Sequence, residues 1–85
     1  MPKLIPAAER LIRARALIQE ARDFPPPAEG GKYDFSYVAQ VKDLLRQARD
    51  FVKFIPQLAG ASTEVKADAK RVLAEIERAD REILH

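Results

Sequence analysis

The sequence predicts an all-α fold: an antiparallel three-helix bundle with heptad-like seams, formed by a single domain over residues 1–85. Proline and glycine clusters divide the chain into three stretches. Each stretch carries apolar residues at alternating spacings of four and three, the period of one helix face. The 85 residues are 47% hydrophobic and 33% charged, the balance of one small folded domain.

The first helix is expected to begin at Pro6, where a missing N–H costs nothing. Ala7 to Asp23 contains neither glycine nor proline, and Pro25-Pro26-Pro27 ends the helix by disfavouring helical geometry in the preceding residue. Pro25 to Tyr33 reads as a connector, stiff at its prolines and flexible at Gly30-Gly31. Within it, Pro25–Lys32 is expected to be the most mobile internal segment.

Asp34 is placed to cap the second helix, with Tyr33 and Val38 at the two positions of a hydrophobic staple. That helix should run to about Ile55. Pro56 ends or kinks it, and Gly60 is the final stop. Ser62 caps a third helix that runs to the C-terminus, with Glu64 in its positive first turn.

The expected seams are Ala7, Leu11, Ala14, Ile18 and Ala21 in the first helix, and Val65, Ala69, Val72, Ile76, Ala79 and Ile83 in the third. The second helix offers Tyr37, Val41, Leu44, Ala48, Phe51, Ile55 and Leu58. Such spacing lets helices pack at about 20°. The third helix has an apolar arc of roughly 140°, whereas Val38, Leu45, Val52 and Phe54 widen that of the second to about 200°. The second helix therefore needs neighbours on two sides. Leu44, Ala48, Phe51 and Ile76 are expected at the centre of the core.

Four apolar residues exceed what such a core covers. Ile5 and Ile12 form a short stripe off the first seam, and Phe54 and Leu58 form a shoulder on the second helix. They are the expected interface, since contiguous exposed apolar surface on a small protein marks association. The tetrapeptide Ala21-Arg22-Asp23-Phe24 recurs as Ala48-Arg49-Asp50-Phe51, an echo that helix-end chemistry explains without a repeat architecture.

The sequence offers little for catalysis. The one histidine, His85, is terminal, there is no cysteine, and Ser36, Ser62 and Thr63 all fall at helix starts. No nucleophile–base pair can be assembled from these residues. The acids Asp68, Glu75, Glu77, Asp80 and Glu82 alternate with Lys66, Lys70, Arg71, Arg78 and Arg81, and Glu77 and Arg81 have the spacing of a surface ion pair. Gly30-Gly31-Lys32 lacks the remaining residues of a phosphate loop. The expectation is a non-catalytic protein without metal or cofactor. The Leu58–Ser62 corner faintly resembles a helix-turn-helix junction, but Glu64 and Asp68 in the following turns would repel phosphate.

Net charge is +2. Residues 1–22 hold Lys3, Arg10, Arg13, Arg15 and Arg22 against Glu9 and Glu20, the most basic segment of the chain. Two readings follow. The first is a protein-interaction subunit, adaptor or regulator that self-associates or binds another protein. The alternative is nucleic-acid association through the basic first helix. The N-terminus has no signal-like apolar core, and no apolar run is long enough for a bilayer, so a cytoplasmic protein without membrane contact is expected.

Overall fold

The computed structural model describes residues 5–28 and 34–84. Its elements are α1 (Ala7–Asp23), α2 (Phe35–Val52), a 3-10 turn (Ile55–Gln57) and α3 (Thr63–Leu84). All three helices pack on one another, with the most extensive contact between α1 and α2. Phe24, just past α1, lies 5.9 Å from Tyr37 at the start of α2, so these two helices are antiparallel. Arg15 meets Asp68 and Arg22 meets Glu82, so α1 and α3 run parallel. The bundle is therefore up-down-up.

The helix starts follow from local chemistry. Asp34 accepts a hydrogen bond from the Tyr37 backbone N–H at 3.0 Å, and Ser62 accepts one from the Val65 N–H at 3.1 Å. Each satisfies one of the four N–H groups that a helix start leaves without a partner. Pro6 flanks α1 with ψ near 150°, and helical geometry begins one residue later than expected. The Tyr33 half of the staple lies outside the described residues, as do positions 29–32 of the connector. Of the connector's described part, Pro25 and Pro27 border a small hollow with Tyr37 at the start of α2.

The end of α2 corrects the expected run to Ile55. The helix stops at Val52, and the Lys53 N–H makes its last bond, to the Arg49 carbonyl at 2.8 Å. Continuing to Pro56 would press the pyrrolidine ring against the Val52 carbonyl and leave that carbonyl without a donor. The chain tightens instead into the 3-10 turn, which keeps Ile55 buried and seats it against α3. Gly60 is no obligatory stop. Its backbone is outside the left-handed region, and a Cβ built on it meets nothing within 4 Å.

The core contains Leu11, Ala14, Ile18 and Ala21 of α1, and Ala69, Val72, Ile76 and Ala79 of α3, the seams predicted for both. In α2 the deepest line is Tyr37, Val41, Leu45, Ala48 and Val52. Leu44 and Phe51, expected at the centre, are half-buried and pack against the core from its edge. At 100° per residue the buried line is turned by about 40° from the expected seam. The reason is the width of the apolar arc: with a neighbour on each side, the line that bisects them is buried deepest. Fully buried alanines such as Ala14, Ala48, Ala69 and Ala79 let the helices approach closely.

Candidate functional site: the α1–α3 groove and the apolar end of the bundle

Ile5, Ile12, Phe54 and Leu58 all lie toward one end of the bundle, where α1 begins, α2 finishes and α3 begins. Ile12 is 62% exposed, Phe54 60% and Leu58 38%, while Ile5 is half-buried. The structure does not gather the four into one groove. Ile12 lines a groove of about 460 Å3 between α1 and α3, with Ala8 and Arg15 on one wall and Glu64, Val65, Asp68 and Arg71 on the other. Phe54 lies elsewhere, in the turn that follows α2, with the Lys53 ammonium 5.1 Å from its ring centre. That placement gives Phe54 a cation–π partner within the chain.

The floor of the α1–α3 groove is held by an ion pair. Arg15 donates two hydrogen bonds to the Asp68 carboxylate, at 2.7 and 2.8 Å, with Glu75 at 4.0 Å from the same guanidinium. The two-pronged geometry fixes both side chains more firmly than a single contact would. The hydrogen bonds from Arg15 hold the Asp68 carboxyl below the usual carboxylate range, and Asp68 in turn raises the Arg15 pKa. Arg71 also pairs with Asp68, at 3.7 Å, while its side chain stays 70% exposed at the groove's rim. Glu64, at the other end of the groove, is in no side-chain ion pair among the described residues.

The basic character of the first helix is largely used within the fold. Arg13 pairs with Glu9 at 3.2 Å, Arg15 with Asp68, and Arg22 with Glu82 at 3.0 Å. The cations of a second groove, between α2 and α3, are Lys42, Arg46, Arg49 and Arg81, with Glu77 and Asp80 among them. Arg46 hydrogen-bonds Asp43, which also accepts from Gln47 at 2.8 Å. These bonds lower the Asp43 pKa. The expected Glu77–Arg81 pair is not among the ion pairs of the described residues.

The sequence echo divides on inspection. Ala21 and Ala48 are both fully buried, and Phe24 and Phe51 both lean on the core. The charged residues differ: Arg22 reaches Glu82 and Asp23 accepts from Gln19, whereas Arg49 is in no ion pair among the described residues and Asp50 pairs with Lys53. The echo thus reflects two antiparallel helices meeting the core in the same way.

One exposed residue lay outside the sequence expectation. Phe35, the first residue of α2, is 91% exposed. Its signal was present: it directly follows the Asp34 cap and lies well off the Tyr37–Val41 line. No buried side-chain polar atom lacks a partner among the described residues, and no helix there is long and apolar enough to cross a membrane. No protein-family model matches the chain, and searches of curated proteins and of solved structures each give no match.

Proposed function

We propose that the protein is a non-catalytic interaction module that self-associates through the apolar surface at the α1-start end of the bundle. The observation that carries this reading is the exposure of Ile12 on a helix whose own core seam is complete. Ile12 does not stand alone: it lines one groove with Ala8, Leu11 and Val65, and contiguous apolar surface of this kind marks an interface. Extra burial also matters to a chain this short, because small domains bury a modest fraction of their surface. Two-fold dimers are the commonest way to obtain it. Nucleic-acid association has less support, since α1's Arg13, Arg15 and Arg22 already face carboxylates.

Sedimentation velocity of the full chain tests the proposal. The parent should sediment above monomer mass, and Ile12→Lys with Phe54→Lys should yield helical monomers. A parent that remains monomeric across the concentration range overturns the reading.

A further inference from the structure

We infer that the α1–α3 groove is the two-fold contact, with α3 crossing the same helix of a second copy in antiparallel fashion. This inference rests on self-association and adds its face, its symmetry and its charge code. The groove carries two cations, Arg15 and Arg71, and two anions, Glu64 and Asp68, around the apolar pair Ile12 and Val65. Arg15 and Asp68 neutralise each other across the middle. Glu64, at the α3 start, is left without an ion-pair partner among the described residues, while Arg71, two turns further on, shares Asp68 with Arg15 and stays exposed.

That order selects the occupant. A two-fold contact brings the same patch against itself with its direction reversed. Glu64 and Arg71 are seven residues apart, about 10.5 Å along the helix axis. A dyad passing midway between them, beside Asp68, sets Glu64 level with the partner's Arg71 and Arg71 level with the partner's Glu64. Glu64 thereby gains an opposite charge, and Arg71 gains a second one besides Asp68. Arg15 meets Asp68, so Ile12, three residues earlier on the parallel helix, stands beside Val65 about 4.5 Å from that level, and the two copies of Ile12 flank the axis within reach of each other. An unrelated partner would need no such internal symmetry of charge. Phe54 does not line this groove and plays no role in the contact.

The arrangement predicts an exchange that few other surfaces would show. Glu64→Arg alone places two pairs of like charges across the dyad, and Arg71→Glu alone does the same with the opposite sign. Each should weaken association on the order of tenfold or more. Mixing the two variants restores both attractive pairs in a mixed dimer, and Glu64→Arg with Arg71→Glu in one chain restores the homodimer. Both positions are exposed, and far-UV circular dichroism checks that the helices persist. Sedimentation equilibrium on the full chain reads the outcome. Association recovered in the mixture and in the double variant, with Phe54→Lys alone without effect, is the expected result. Single variants that associate like the parent, or a mixture that stays monomeric, overturn the proposed face while leaving self-association standing. A monomeric parent removes both.

Discussion

Leu44 and Leu45 offer a matched pair of substitutions that reads the orientation of α2. Each is a leucine inside the same helix, so truncation to alanine removes the same atoms and changes helix propensity equally. They differ in position: Leu45 is 4% exposed, whereas Leu44 is half-buried beside Glu20 and Phe24. Truncating a fully buried leucine costs about 2–5 kcal/mol, combining lost transfer energy with the void left behind. Leu45 borders the α2–α3 groove, so part of its void opens to water, which favours the lower half of that range, about 2–3 kcal/mol. Leu44 surrenders roughly half the apolar area and leaves a shallow notch, for about 1–1.5 kcal/mol. In a domain of this size the difference of about 1–1.5 kcal/mol corresponds to a gap in Tm of roughly 4–12 °C. Urea unfolding followed by circular dichroism measures both, in an Ile12→Lys background so that association does not enter. If Leu44→Ala costs as much as Leu45→Ala, α2 faces the core along the line its spacing first suggests, and the packing described above is wrong.

Two further substitutions probe the turn and the ion pair. Gly60→Ala should stabilise the protein by about 0.4–1 kcal/mol, because a Cβ there meets nothing and the unfolded chain loses freedom; a lower Tm would show that the glycine is needed after all. A double-mutant cycle on Arg15→Met and Asp68→Asn should give a coupling of about 1 kcal/mol near neutral pH, the upper end for a solvent-screened pair. Because Asp68 holds its proton less tightly folded than unfolded, this stability is fully present above the ordinary carboxylate pKa of about 3.9. It disappears as pH falls through the lower, folded value. The parent should therefore lose more stability than the double variant between about pH 5 and pH 2, and parallel acid titrations would contradict the assignment.

The elements whose causes are local were legible in the sequence. Asp34 and Ser62 cap their helices through bonds to residues three positions on, and Pro25–Pro27 and Pro56 act on their own neighbours. The seams of α1 and α3 were equally plain, since a narrow apolar arc can face only one way. Ile12 stood out for the same reason: it is apolar where the arc has already ended. The line buried in α2 was not legible, because an arc of about 200° fits several orientations and the neighbours on either side choose among them. Neither was the fate of the α1 arginines. Arg15 and Arg22 find their carboxylates 53 and 60 residues away on α3, and no local pattern marks such pairs. The up-down-up packing also separated Phe54 from Ile12, which sequence reasoning had grouped by their shared apolar character. Local bonding and periodicity thus fixed where the helices are, apart from the end of α2, and which faces are apolar. Their rotation, their charge partners and the groove beside Ile12 were decided by packing, because each depends on side chains that only the folded bundle brings together.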